Sequence, residues 1–254
     1  EAAKAGVPFI VLDRPNPITG RLMEGPILED LSLRQVTPTA YFAVPVRHGL
    51  TAGETALLHN REVNHPSLSV VKMLGWKRSM WFDETGLAWT PPSPNMPDLG
   101  AATLYPGVAC FESANISVGR GTPYPFRCIG APWLKSGEIL KRLKAAKPAG
   151  VSFALQAYTP TKSVFAGSRC EGIRMTITDR DKLRPLEVFA HLAAALRDVN
   201  PEFAFRWDEA KRMVGTDSFK ELYESKSPAH KLIKLFDTGP KAFKSQRRAF
   251  LLYH

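Results

Sequence analysis

The sequence predicts an α/β protein in two parts, a partial parallel sheet over residues 1–98 and a smaller α/β unit over residues 99–254. Three observations carry this. Short apolar runs that read as strands, such as Val7 to Leu12 and Val151 to Leu155, alternate with segments of helical period. Helix-start signals introduce several of those segments, among them Thr51 with Glu54 and, later, Pro185. Pro91 to Pro97 then holds four prolines in seven residues, a stiff extended stretch that marks the boundary.

Composition narrows the class. At 254 residues, 44% hydrophobic and 23% charged, the chain can bury a sizeable core and reads as globular. No run of about 18 apolar residues is present, so no transmembrane segment is expected. The opening E-A-A-K-A-G reads as the last turns of a helix closing on Gly6. With no initiator Met and no signal peptide, the expectation is a chain that starts inside a longer protein. Cys110, Cys128 and Cys170 are too scattered for a metal site, and C-x-x-C and H-E-x-x-H are both absent. Three buried thiols are favoured over one disulfide with a spare. The formal net charge is +10, and from Lys211 to His254 ten Lys/Arg stand against four Asp/Glu. Such an end attracts polyanions, anionic cell-wall polymers included. No nucleic-acid motif accompanies the charge, so nucleic acid is not an expected partner, and solvated helix faces are the simplest reading.

Taken in order, Val7 to Leu12 is a buried parallel strand. Asp13, Arg14 and Asn16 follow in a turn fixed by Pro15 and Pro17, and Glu24 lies in a second turn. Ligands in open α/β sheets bind beyond the carboxyl ends of strands, which makes the first turn a site candidate. A cap-and-pair role for Asp13 and Arg14 is the competing reading. Thr51 and Glu54 form a capping box, so Glu54 is structural and its replacement by Gln is expected to cost well under about 1 kcal/mol. His48, just ahead of the cap, can line a cleft beside a helix N-terminus. Leu68 to Leu74 is a strand. Of Trp76, Trp81 and Trp89, two are expected in the core. Ser93 and Asn95 in the proline-rich stretch can face a cleft between the two parts. Ser136 is the expected N-cap of a helix to Ala146. Ile173, Met175 and Ile177 alternate with polar residues as a half-buried strand. Pro185 starts an amphipathic helix, and Phe203, Phe205 and Trp207 alternate again. Ser227-Pro228 opens a helix closed by Gly239, and Pro240 opens the last.

The stretch richest in chemistry runs from Tyr105 to Phe126. Val108 to Phe111 is long enough for one buried strand. Glu112, Asn115, Ser117, Arg120 and Thr122 follow, between Gly119, Gly121, Pro123 and Pro125, which forbid regular structure. A carboxylate, an amide, two hydroxyls and a guanidinium on such a loop suit a small polar ligand. Equally, they suit a loop that satisfies its own backbone. G-R-G-T is not a phosphate loop, since it lacks G-K-[ST], and no G-x-S-x-G is present. No cofactor is expected.

The same stretch carries a family resemblance. F-E-S-A-N-I-S-V-G-R-G-T-P-Y-P-F followed by I-G-A-P-W resembles the signature of the NamZ-type exo-β-N-acetylmuramidases. V-L-D-R-P-N-P-I with E-G-P, H-G-L-T-A-G-E, D-E-T-G-L-A-W-T-P-P-S-P-N-M-P and a terminal L-L-Y agree in order. Ser113 and Ala114 depart from the family's Gly and Thr. The resemblance implies the second half of a Rossmann-like domain followed by a smaller α/β domain, with the active site in a cleft between them. It implies a glycoside hydrolase, periplasmic or extracellular, that releases N-acetylmuramic acid from the non-reducing ends of peptidoglycan fragments. A non-catalytic cell-wall glycan-binding protein is the alternative. The family's P-E-H-G segment, with its leading carboxylate, is not among these 254 residues, so this chain alone is expected to be inactive. Glu112 and Glu24 are then the carboxylates for acid/base work. Arg120 and Arg14 suit the lactyl carboxylate of the sugar. Asn16, Asn95 and Asn115 suit its hydroxyls and acetamide, with Asp13, His48 and Thr122 completing the candidate set.

Overall fold

The computed structural model describes residues 1–35 and 40–254. In chain order, α1 (Ala2–Ala5) and β1 (Phe9–Leu12) lead to β2 (Glu24–Ile27), β3 (Pro45–Arg47), α2 (Ala52–Val63) and β4 (Leu68–Val71). Next come α3 (Leu99–Val108), β5 (Cys128–Ala131), α4 (Ser136–Ala146), β6 (Val151–Leu155) and β7 (Glu171–Ile177). The rest is helical: α5 (Pro185–Val199), α6 (Trp207–Val214), α7 (Ser218–Glu224), α8 (Ala229–Phe236) and α9 (Thr238–Gln246). Short 3-10 turns cover Leu31–Gln35, Phe82–Thr85, Ala109–Ser113 and Arg247–Phe250.

The mixed α/β class is as expected. β1 and β4 pair in parallel, with Phe9 opposite Leu68, and α2 connects back across them. β2 and β3 pair antiparallel, with Glu24 opposite Arg47. β5, β7 and β6 form a separate antiparallel sheet in that order. The main core lies around α5, whose Leu186, Phe189, Leu192, Ala193 and Leu196 are all buried along one face. Phe189 meets the ring of Phe111 at 4.8 Å, and Phe205 and Phe219 extend the cluster. All three cysteines are free and buried.

Several local expectations are corrected. Val108 to Phe111 is not a strand. It is the end of α3 and the 3-10 turn that follows. The Asp98 side chain accepts from the Ala101 N–H at 2.8 Å and starts α3, whose Ala101, Leu104 and Val108 point inward at helical spacing. Four consecutive apolar residues do not distinguish the two periods. Gly107 lets α3 approach the start of α5, because a Cβ there would meet the Pro185 carbonyl oxygen at 2.0 Å. β1 is parallel but not buried: Ile10 is 61% and Leu12 69% exposed, while α2 packs against the pair. Ser136 makes no capping bond; Lys135 holds the N-cap position of α4. Of the Phe203–Trp207 alternation only Phe205 bridges a neighbour, Ala114, and Trp207 already begins α6. Gly239 lies in the first turn of α9 rather than closing α8, and packs against β2. Trp76 and Trp81 are buried, while Trp89 is partly so.

Glu54 also departs from expectation. The capping box is present. Its carboxylate, 0% exposed, additionally pairs with the Arg78 guanidinium and accepts from the Leu252 N–H at 2.9 Å. Arg78 in turn donates to Gly49 O at 2.9 Å and to Tyr253 O at 3.3 Å. The C-terminal residues therefore close back over the start of α2 through a buried charge pair.

Candidate functional site

A cleft of about 460 Å³ opens beside the 3-10 turn that carries Glu112. One wall comes from Pro26 of β2 and Leu28 just after it, from Tyr41 to His48 around β3, and from Thr55 of α2. The other comes from Tyr105 to Cys110 at the end of α3, from Glu112 and Arg120, and from Arg212 to Gly215 at the end of α6. Its size suits a small ligand, and its wall is mostly apolar with a few polar groups.

Those polar groups are specific. Glu112 accepts from Arg120 Nε at 2.5 Å and Nη2 at 3.1 Å, a two-point fork. Arg120 lies over the Phe126 ring at 5.0 Å, which holds the fork from behind. The pairing raises the guanidinium's pKa further. Tyr105 lines the same wall, and burial followed by the nearby Glu112 charge raises its pKa. His48 Nδ1 accepts from the Leu50 N–H at 3.0 Å, which puts the ring proton on Nε2. Burial, with repulsion from Arg247, pushes its pKa down to about 4, so the ring is neutral at pH 7. The Cys110 thiol is pushed up to about 12 by burial and is inert as a nucleophile.

Of the residues proposed from the sequence, the structure brings together His48, Glu112 and Arg120. The others go elsewhere. Asp13 accepts from Gly53 N at 2.7 Å, Thr51 Oγ1 at 2.8 Å and Tyr253 OH at 2.7 Å, tying β1 to α2 and to the C-terminus. Asp13 and Arg14 border a different groove of about 420 Å³, with Trp76 and Leu74, so the Asp13–Asn16 turn and the Glu112 loop do not share a cleft. Asn16 donates to Leu50 O at 2.9 Å and accepts from Ile18 N at 3.1 Å. Glu24 is only 5% exposed and pairs with Arg47 at 2.8 Å while accepting from Leu186 N at 3.2 Å, where α5 begins. Burial raises its pKa against the pull of Arg47. Asn115 clamps the 202–204 segment, donating to Glu202 O at 2.7 Å and accepting from Ala204 N at 2.9 Å. Thr122 donates to Gly119 O at 2.7 Å, across a turn whose Gly119 has φ 79°. Asn95 makes a local turn through its N–H to Ser93 Oγ.

The loop thus divides. Asn115, Ser117 and Thr122 satisfy backbone groups, whereas Glu112 and Arg120 face the cleft. Tyr105 and Arg212 were not identified as site residues from the sequence. Tyr105 sits in an apolar run, and Arg212 belongs to the charged helix D-E-A-K-R, where spacing does not single out one residue.

The family profile described as "Exo-beta-N-acetylmuramidase NamZ, C-terminal" matches residues 103–253, and the corresponding N-terminal profile matches residues 1–100. The chain is 38% identical over 257 residues to the peptidoglycan beta-N-acetylmuramidase NamZ of Bacillus subtilis (strain 168), covering 100% of this chain and 61% of that protein. Two crystal structures of DUF1343 family proteins from Bacteroides fragilis NCTC 9343 superpose with TM-scores of 0.89 and 0.74, at 29% and 26% identity. In each case all of this chain and 68% of the other is covered. The chain therefore spans about three fifths of the length of the curated relative it matches.

Proposed function

The chain belongs to the NamZ exo-β-N-acetylmuramidase family, and from that premise we propose that it forms the sugar-binding cleft of a glycoside hydrolase acting on peptidoglycan. The reaction is the release of N-acetylmuramic acid from non-reducing ends of peptidoglycan fragments, in the periplasm or outside the cell, as part of cell-wall recycling. One observation carries the reading. Glu112 of the F-E-S-A-N signature is the carboxylate on the cleft wall among the described residues, and Arg120 fixes it there.

A carboxylate that accepts two N–H groups is held as an acceptor. It suits a base that orients a water, or a counter-charge to the positive character that develops at the anomeric carbon. Tyr105 OH and the His48 Nε2–H, both neutral at pH 7, are donors for sugar hydroxyls or the acetamide. Hydrolysis also needs an acid for the leaving oxygen. We assign that role to the carboxyl of the family's P-E-H-G segment, a motif that residues 1–254 do not contain.

The test compares this chain with the protein extended upstream through P-E-H-G, on an N-acetylmuramyl-N-acetylglucosamine disaccharide. The extended protein should release N-acetylmuramic acid, and Glu112→Gln should lower kcat by about 10²–10⁴ with the fold kept. Undiminished turnover in Glu112→Gln would remove Glu112 from the chemistry. Tight binding with no turnover by the extended protein would replace the hydrolase with a glycan-binding protein.

A further inference from the structure

The charges around the cleft do not cancel. Glu112 and Arg120 neutralise each other, and the His48 ring is uncharged at pH 7. What remains is Arg212, near the end of α6, half-buried on the cleft wall. The neighbouring cations are engaged, and Glu209, which feels the Arg212 charge, is hydrogen-bonded to Arg206 instead. Arg206 pairs with Glu209 at 2.7 Å, and Lys211 pairs with Asp30 at 3.1 Å and Asp217 at 2.8 Å. Arg212 has neither an ion pair nor a side-chain hydrogen bond among the described residues, and residues 36–39, V-T-P-T, contain no acid. The local backbone accounts for its direction. Ala210 and Val214 are buried in the core on one face of α6, and Gly215 ends the helix in the left-handed region, leaving Arg212 at the border of the cleft with Met213.

A guanidinium without a partner beside an apolar wall is a waiting counter-ion. It retains its fork of donors, and lowered local polarity strengthens any charge-assisted bond it makes. Arg120, whose Nε and Nη2 are already committed to Glu112, and Arg14, which borders the other groove, are less suited to this part. We infer that Arg212 binds the carboxylate of the sugar's lactyl ether and makes this cleft select an acidic N-acetyl sugar over its neutral counterpart. The inference rests on the muramidase reading above and specifies which residue reads the acid.

The probes are the N-acetylmuramyl-N-acetylglucosamine disaccharide and the same disaccharide with its lactyl group as the methyl ester. Each is titrated calorimetrically into the 254-residue chain and into the upstream-extended protein, as wild type, Arg212→Gln and Arg212→Lys. The wild type should prefer the acid by about tenfold or more, as expected for one charge-assisted fork, and the preference should shrink as salt rises. Arg212→Gln should abolish it while leaving ester affinity within about twofold, and Arg212→Lys should keep part of it. Since the Arg212 side chain makes no hydrogen bond or ion pair among the described residues, circular dichroism and thermal midpoints should be unchanged. An acid-to-ester ratio unaltered in Arg212→Gln overturns the inference and leaves the muramidase reading standing. Binding of neither sugar by either protein overturns both.

Discussion

Replacing Glu54 by Gln tests how the fold is held together at the root of the cleft. The change is nearly isosteric, yet the carboxylate has three donors around it. Oε2 accepts from Thr51 N at 3.0 Å, and Oε1 accepts from Leu252 N at 2.9 Å and from the Arg78 guanidinium. An amide offers one oxygen, so its NH2 must face at least one N–H. It also leaves Arg78, 8% exposed, as a buried charge without its counter-ion. If Glu54 were only a capping residue, the loss would be about 1 kcal/mol. Breaking one end of a buried pair costs about 3–5 kcal/mol, and the second figure governs here because both side chains lie inside. In a chain of this size that corresponds to a thermal midpoint lowered by roughly 6–20 °C. Urea unfolding followed by far-UV circular dichroism measures it. A double-mutant cycle with Arg78→Met should return a coupling of about 1–3 kcal/mol. A loss at or below about 1 kcal/mol with no coupling would show that the pair contributes nothing beyond the cap.

Other outcomes follow from the same structure. Asn115→Ala removes the clamp on Glu202 and Ala204 and should lower stability by about 1–3 kcal/mol, without changing sugar selectivity in the titrations above. His48 has its pKa lowered to about 4, against about 6.5 in the unfolded chain. The unfolded state therefore holds the extra proton between those values, and stability should fall as pH drops from about 6.5 towards 4. His48→Gln should flatten that part of a urea-midpoint profile, and an unchanged profile would place the titrating group elsewhere. Arg120→Met frees Glu112 from its fork, so kcat of the upstream-extended protein on the disaccharide should fall about tenfold or more, with the acid-to-ester preference intact. A fall in that preference alone would make Arg120, rather than Arg212, the acid-reading residue.

Much of the local structure was determined by the sequence itself. The Thr51–Glu54 box, the Pro185 helix start, the Gly6 stop and the β7 alternation each rest on a few neighbouring residues, and each forms as those residues dictate. The stretch from Phe111 to Thr122 likewise put Glu112 and Arg120 forward by their types and surroundings, and both line the cleft. Tertiary structure decided what neighbours could not. Val108 to Phe111 became helical because Asp98 and the packing against α5 extend one period through it. Asp13, Asn16, Glu24 and Asn115 were plausible ligand contacts by type, but partners 34 to 240 positions away along the chain consume their hydrogen-bonding capacity. Arg212 stands out for the opposite reason. In sequence it is one cation among several on α6, and only folding shows that its neighbours are paired while it is left facing the cleft. Charge and hydrogen-bond satisfaction are properties of pairs, and the chain sets which residues are available while the fold sets which of them meet.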